Sequence, residues 1–99
     1  MRTNARKDGN AGAIVAGLRR AGASVQVLNE KGLPDVLVGF RKRNYLFELK
    51  TARGTLTRPQ KLFLATWAGQ AQVVRTLDEA LLVIGAIVHV TFSSSDGTV

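Results

Sequence analysis

Two apolar segments, Val36–Phe40 and Tyr45–Leu49, are separated by only four polar residues, and this pattern most constrains what the chain can fold into. Both segments are rich in β-branched, aliphatic and aromatic residues, which favour extended structure. Short segments of this kind on either side of a polar turn are typical of a β-hairpin. The sequence therefore predicts a fold that contains at least one antiparallel pair of strands.

The predicted hairpin also places its charges. An even-numbered turn centred on Lys42 and Arg43 would put Asp35 opposite Lys50. Because side chains alternate between the two faces of a sheet, one face would then be wholly apolar. A slip of one residue would spoil that apolar face. The other face would carry all three charged residues, Asp35, Glu48 and Lys50.

The two carboxylates of this face suggest a metal site. Asp35 and Glu48 would lie diagonally across the strands, with their backbones about 7–8 Å apart. Carboxylates that converge in this way repel each other unless a cation lies between them. Mg²⁺ or Mn²⁺ is suitable, because both prefer oxygen ligands. Such an ion can polarise a phosphate and activate a water, and Lys50 would orient that water or stabilise the charge on the phosphate.

The same spacing allows a purely structural interpretation. Asp35 and Lys50 would form an ion pair across the strands, and Glu48 beside them would be solvated. Charges on the outer face of a hairpin are common, so the spacing alone leaves both interpretations open.

The three charged residues resemble the signature of the PD-(D/E)xK nucleases, here written as Pro34-Asp35 followed by Glu48-Leu49-Lys50. More of the chain resembles the small stand-alone VRR-NUC branch of that superfamily, which phages and prophages often encode. The matching stretches follow the expected order from about residue 8 to residue 84, and they are residues 14–25, 33–40, 43–50, 56–60 and 70–81.

The resemblance implies a restriction-endonuclease-like α/β fold, with an α-β-β-β-α-β-α core and a mixed central sheet. It implies a divalent-metal-dependent endonuclease that cleaves structured or branched DNA, including Holliday junctions. Asp35, Glu48 and the backbone carbonyl of Leu49 would bind Mg²⁺ or Mn²⁺. Lys50 would be the catalytic lysine, and Gln60 would support it. A homodimer is expected, because symmetric cleavage of a two-fold junction requires two sites.

One position departs from the family pattern. Members of this branch usually carry a glutamate on the first helix, after an asparagine, and that glutamate reaches the metal. Here Asn10 is followed by Ala11, and Asp8 is the only acid nearby. A second function therefore stays open, namely a non-catalytic DNA-binding module that retains the nuclease fold. A metal-dependent ribonuclease would differ from the first function only in its substrate.

Gln60 has two predicted roles. The residues from Thr57 to Gln60 match a capping box, in which the side chains of the first and fourth residues bond each other's backbone N–H. The family resemblance places the same glutamine beside the catalytic strand, where it would steer Lys50 or a metal-bound water. The two roles are compatible.

Hydrophobic spacing and capping signals predict the remaining elements of what is expected to be one domain of 99 residues. Trp67 is expected in the core, and His89 is expected to be half-buried or on the surface. The predicted elements are a helix from Asn10 to near Gly22, a strand at 24–28, a helix at about 58–68, a strand at 71–75, a helix from a second capping box at 76–79 to about 84, a strand or helix extension at 87–92, a basic arm at 1–8 and a flexible tail at 93–99.

The charge balance favours nucleic acid as the partner. Fourteen Lys and Arg residues against seven Asp and Glu residues give a net charge of +7 and a pI near 10.9. No segment has the bulky apolar face that binding to a membrane surface requires. Basic side chains contact the phosphate backbone of nucleic acids. The predicted DNA-binding residues are Arg41, Lys42, Arg43, Arg53, Arg58 and Lys61.

The absence of cysteine excludes disulfide bonds and thiol chemistry. The first residues lack the apolar core of a signal peptide, and no apolar run is long enough to span a membrane. The expected location is the cytoplasm.

Overall fold

A computed structural model of the protein describes residues 9–88. The predicted basic arm at 1–8, residues 89–92 of the ambiguous segment, His89 and the predicted tail at 93–99 lie outside the described residues.

Within this part of the chain, four strands form one mixed sheet in the order β1-β2-β3-β4. The first three strands are antiparallel to their neighbours, and β4 is parallel to β3. The predicted α-β-β-β-α-β-α order and mixed sheet are confirmed. The elements are α1 (Ala11–Arg20), β1 (Ser24–Val27), β2 (Val36–Phe40), β3 (Arg43–Leu49), α2 (Arg58–Thr66), β4 (Gln72–Val74) and α3 (Leu77–Ile84).

The turn between β2 and β3 is two residues shorter than predicted. Arg41 and Lys42 form it alone, with φ angles of +54° and +69°. Positive φ at both residues is what a type I′ turn requires, and that turn matches the twist of the flanking strands. Phe40 therefore pairs with Arg43, and the predicted pairing of Phe40 with Tyr45 is wrong. Because the error is two residues, every side chain keeps its predicted face.

The core lies between one face of the sheet and the helices α1 and α3. The apolar face predicted for the hairpin is buried here, together with the inner sides of both helices. Gly17 of α1 lies against the side chain of Leu77 of α3, and a Cβ at this position would collide with it. Close packing of the two helices therefore depends on glycine. The buried apolar residues are Ile14, Leu18, Ala23, Val36, Val38, Phe47, Leu49, Val74, Ala80 and Ile84.

The helix α2 covers the other face of the sheet only in part. None of its residues is buried, and Leu62 is 62% exposed. The ring of Trp67 stacks on that of Phe63 at 5.0 Å between centroids, but Trp67 is 49% exposed. The prediction that Trp67 lies in the core is wrong. The helix ends at Thr66, and Trp67 continues in extended conformation at the margin of the sheet.

The helix ends agree largely with the predicted signals. Gly22, with φ of +99°, follows α1 as predicted. The hydroxyl of Thr76 accepts the N–H of Glu79 at 3.0 Å and so caps α3. The carboxylate of Glu79, however, accepts the N–H of Arg75, so only half of the second predicted capping box forms. Among the helices within residues 9–88, none is long and apolar enough to cross a membrane.

Candidate active site

The open end of the hairpin brings Asp35, Glu48 and Lys50 together, as the alternation of side chains predicts. The three residues line one cavity of about 430 Å³, called the site cavity below. Asp35 immediately precedes β2, and Glu48 and Lys50 come from the end of β3 and the residue after it. The other lining residues are Asn10, Leu49, Thr51, Gly54, Thr57 and Gln60.

Glu48 is the buried charged residue of the described chain, with 3% of its surface exposed. Its Oε2 accepts a hydrogen bond from Nε2 of Gln60 at 2.8 Å and lies 3.8 Å from Nζ of Lys50. A carboxylate removed from water needs such partners, because the loss of hydration is costly. The structural interpretation in which Glu48 is solvated is therefore wrong.

Asp35 is held by the strand that carries Glu48. Its Oδ2 accepts the N–H of Leu49 at 2.8 Å, and its own carbonyl accepts the N–H of Leu28 at 2.8 Å. The N–H and C=O of a strand residue point to the same side, so the carbonyl of Leu49 is also directed toward Asp35. Between residues 9 and 88, the ion pair of Lys50 is with Glu48, and the alternative Asp35–Lys50 pair does not form.

The shorter turn changes how the two carboxylates face each other. The observed register pairs Val36 with Phe47, and its continuation by one residue places Asp35 opposite Glu48. Residues directly opposite in an antiparallel pair have Cβ atoms about 4.5–5.5 Å apart, closer than the predicted diagonal arrangement. The correction to the register therefore strengthens the convergence of the two carboxylates.

Gln60 has a place in both the capping box and the site cavity. The hydroxyl of Thr57 accepts the N–H of Gln60 at 3.3 Å, and Oε1 of Gln60 accepts the N–H of Thr57 at 2.9 Å. The predicted capping box is thus confirmed. Because Oε1 is bound in this way, the amide nitrogen is turned toward Glu48. Its polar contact in the cavity is with this carboxylate, which Gln60 orients.

The donor set of the cavity fits a hard divalent cation. Asp35, Glu48 and the carbonyl of Leu49 supply only oxygen atoms, which Mg²⁺ and Mn²⁺ prefer. Across residues 9–88, no three His, Cys, Asp or Glu side chains are grouped closely enough to hold a metal. The protein therefore offers two carboxylates, and water would complete the coordination, as is usual for Mg²⁺.

Ala11, at the position where the family pattern has glutamate, is close to these carboxylates. It lines a second cavity of about 400 Å³ at the start of α1, called the Ala11 cavity below. Asp35 and Leu49 line both this cavity and the site cavity, so the two are adjacent. A longer acidic side chain at position 11 would therefore project into space next to Asp35.

The six predicted DNA-binding residues form two separate groups. Arg58 and Lys61 are exposed on the first turn of α2, next to the cavity residues Thr57 and Gln60. Arg53 is exposed in the loop between Lys50 and α2. The residues of the hairpin tip lie at the other end of β2, about 17 Å away at a rise of about 3.3 Å per residue.

The hairpin tip does not contribute all of its charges to the solvent-facing surface. Nη1 of Arg41 donates to the carbonyl of Gly85 at 3.1 Å, and its guanidinium lies 4.9 Å from the ring centroid of Phe40. These contacts tie the hairpin tip to the end of α3. Lys42 and Arg43 are exposed and are the better phosphate-binding candidates of this group.

Two residues that the sequence patterns did not assign to the site contact it. Asn10 donates to the carbonyls of Lys50 and Arg75, and Arg75 donates to the loop after Lys50. For Asn10, its place before the first helix next to Ala11 was a usable signal. For Arg75, no local pattern separates it from the other arginines.

Comparisons of the chain with protein-family models, with curated proteins and with solved structures found no match. What the site does is therefore argued from its own geometry and from the residues that carry the resemblance.

Proposed function

We propose that the protein is a divalent-metal-dependent endonuclease that hydrolyses phosphodiester bonds in DNA. The observation that carries this proposal is the convergence of Asp35, Glu48 and Lys50 in one polar cavity, with Glu48 almost fully buried. A buried ion pair contributes little to stability, because desolvation offsets its attraction. Chemistry is the better reason for a carboxylate pair, a lysine and an orienting amide to share one cavity.

Each residue has a separate role in this proposal. Asp35, Glu48 and the carbonyl of Leu49 would hold Mg²⁺ or Mn²⁺, which when bound supplies Lewis-acid activation of phosphate and water. The ammonium group of Lys50, close to Glu48, stabilises the negative charge that develops on the phosphate oxygens. Gln60 keeps the carboxylate of Glu48 in one orientation. These are the roles that the resemblance to VRR-NUC nucleases implies for the same residues.

A nucleic acid as substrate is supported by charge. The chain carries +7, and Arg53, Arg58 and Lys61 are exposed near the site cavity. Asn10 and Thr57 line the cavity, so α1 and α2 both begin there and direct their positive ends toward it. A phosphate backbone can therefore approach the carboxylates without meeting a negative surface.

The finer features of the proposal come from the resemblance. They are a restriction-endonuclease-like core, branched DNA such as a Holliday junction as substrate, and a homodimer. Two cavities related by a two-fold axis would act on the two equivalent strands of a junction. The element order α-β-β-β-α-β-α supports the first of these features.

A cleavage assay tests the proposal. Labelled Holliday junction, flap, duplex and single-stranded DNA, together with RNA, are incubated with the protein in Mg²⁺, Mn²⁺ or EDTA. We expect metal-dependent cutting, strongest on branched DNA. Preferential cutting of RNA would replace the proposed substrate with a ribonuclease substrate. Salt-sensitive binding without cutting in any metal would overturn the proposal.

One observation favours a second function, a DNA-binding module without catalysis. Position 11 is alanine, and the described residues contain no group of three metal-binding side chains. A site with too few ligands can retain the basic surface and the fold while binding metal too weakly for chemistry. The same assay distinguishes this module from the nuclease, because the module binds DNA equally well in Mg²⁺ and in EDTA.

Restoring the missing carboxylate is expected to strengthen metal binding. Ala11→Glu adds a negative oxygen ligand next to Asp35, and ligand charge is a main determinant of divalent-metal affinity. We expect the Kd for Mn²⁺ to fall by about tenfold, which corresponds to about 1.4 kcal/mol. Isothermal titration calorimetry on the protein alone measures this change.

The matched control is Ala13→Glu, on the exposed side of the same helix and outside both cavities. It adds the same charge to α1 at a distance from Asp35. An equal gain in both variants would show that net charge, and not coordination by a residue at position 11, is responsible.

Removal of the basic residues at the start of α2 is expected to weaken DNA binding and its salt dependence. Each contact between a basic side chain and a phosphate contributes about one to the slope of log K against log salt. Arg58→Ala with Lys61→Ala should therefore reduce the slope by about two. Fluorescence anisotropy in EDTA, where no cutting occurs, measures binding between low and moderate salt.

Arg20→Ala is the control for this loss of charge. Arg20 is exposed at the last turn of α1, about 15 Å from Asn10 at a rise of about 1.5 Å per residue. Its removal should leave the slope unchanged. A slope that falls equally in both cases would place the DNA elsewhere on the surface.

A further inference from the structure

Asn10 occupies the N-cap position of α1 but does not cap the helix with its side chain. Asparagine at this position ordinarily accepts a backbone N–H of the first turn. Here its Nδ2 instead donates to the carbonyl of Lys50 at 3.1 Å and to that of Arg75 at 2.7 Å. The side chain therefore joins the beginning of α1 to the ends of β3 and β4.

Arg75 holds the chain that follows Lys50. Its Nη1 donates to the carbonyls of Thr51 and Gly54 at 2.6 and 2.8 Å, and the residue is half-buried. Hydrogen bonds from a charged donor are stronger than neutral ones. A second bond, from the N–H of Gly54 to the carbonyl of Thr51, closes this segment into a turn, called the 51–54 turn below.

The 51–54 turn packs against the side chain of Lys50. A Cβ at Gly54 would lie 3.4 Å from both Cβ and Cδ of Lys50, and 3.2 Å from Oγ1 of Thr51. The backbone of Lys50 is also bound on both sides, since its N–H donates to Val74 at 3.1 Å and its carbonyl accepts from Asn10. The place of the lysine is thus set by its neighbours rather than by the strand alone.

We propose that Asn10 and Arg75 are positioning residues for Lys50. Together they hold its backbone and the 51–54 turn so that the ammonium group stays in the site cavity, 3.8 Å from Glu48. In its catalytic consequence this inference rests on the proposed nuclease function. A misplacement of a reacting group by about 1 Å can cost about 10²-fold in rate. Both residues therefore affect the chemical step without contacting the substrate.

The first test compares matched pairs of variants. Asn10→Ala removes an amide bonded to two carbonyls next to the cavity, and its control Gln70→Ala removes an amide that bonds the N–H and C=O of Leu46 outside it. Arg75→Met is matched by Arg19→Met, which removes the bond from Arg19 to the carbonyl of Val25.

Single-turnover cleavage and DNA binding are measured for all four variants. We expect Asn10→Ala and Arg75→Met to lower the cleavage rate by about 10- to 100-fold while DNA affinity changes little. The two controls should stay within about twofold of the unmodified protein. Arg75→Lys, which keeps the charge, should recover part of the rate. Equal losses in the controls, or losses that follow the fall in melting temperature, would overturn the proposal.

A second measurement is independent of catalysis. Amide hydrogen exchange of Lys50 and Gly54 reports the hold on the backbone, and we expect both amides to exchange about tenfold faster in Asn10→Ala and Arg75→Met. Amides of β1 and β2 should be unaffected. Unchanged exchange would overturn the positioning role. If the unmodified protein cuts nothing but exchange responds as expected, the nuclease function fails while the positioning of Lys50 stands.

Discussion

Replacement of Lys50 by methionine is expected to lower the rate of metal-dependent DNA cleavage by about 10²–10³-fold, the usual effect of losing one group that stabilises transition-state charge. Methionine keeps an unbranched side chain that can pack against the 51–54 turn but lacks the ammonium group. Glu48 keeps its hydrogen bond from Gln60. Single-turnover kinetics on labelled DNA, with anisotropy to measure binding, should show a lower rate at nearly unchanged affinity.

Lys31→Met is the control, because Lys31 is an exposed lysine that does not line the site cavity. Its cleavage rate should stay within about twofold of the unmodified protein, as expected for a surface substitution. Circular dichroism should show that both variants are folded. If Lys50→Met cuts as fast as the control, the lysine takes no part in the chemistry and serves only to pair with Glu48.

Conversion of either cavity carboxylate to its amide is expected to abolish metal binding. Asp35→Asn and Glu48→Gln keep size and shape but each remove one of two negative charges, and charge count largely determines divalent-metal affinity. We expect the Kd for Mn²⁺ to rise by more than about tenfold and cleavage to fall by about 10³-fold. Calorimetry with Mn²⁺ and protein alone separates the loss of metal from any change in DNA binding.

Asp78→Asn is the matched control, since Asp78 is exposed on the first turn of α3 and does not line the site cavity. It removes the same charge from the chain, so a general electrostatic effect on metal binding would appear in it as well. Unchanged Mn²⁺ affinity in Glu48→Gln would show that the burial of Glu48 serves the ion pair with Lys50 rather than a metal.

The hairpin shows why the sequence could predict the composition of the site while the pairing was wrong. The predicted turn was two residues too long, yet Asp35, Glu48 and Lys50 lie on one face as expected. Side chains in a strand repeat every two residues, so an error of two preserves the face. The turn itself was missed because Arg41 and Lys42 adopt positive φ, which turn sequences rich in Gly or Asn more often signal.

Trp67 shows the opposite case. Its place in a helical pattern of apolar residues predicted burial, but burial depends on what covers that helix face. The helix α2 ends at Thr66 and packs loosely, and Trp67 stays half exposed. A pattern in the sequence marks which side of a helix is apolar, and only the arrangement of neighbouring elements determines how much of that side is removed from water.

The sequence by itself determined the order of the elements, the apolar face of the hairpin and the grouping of three charges on the other face. These features follow from short periodicities and from capping signals within a few residues. Only the tertiary structure decided that Glu48 is buried, that Gln60 turns its amide toward it, and that Asn10 and Arg75 hold the chain around Lys50. The physical reason is that these contacts join residues 12 to 65 positions apart, and no local pattern records which distant groups meet.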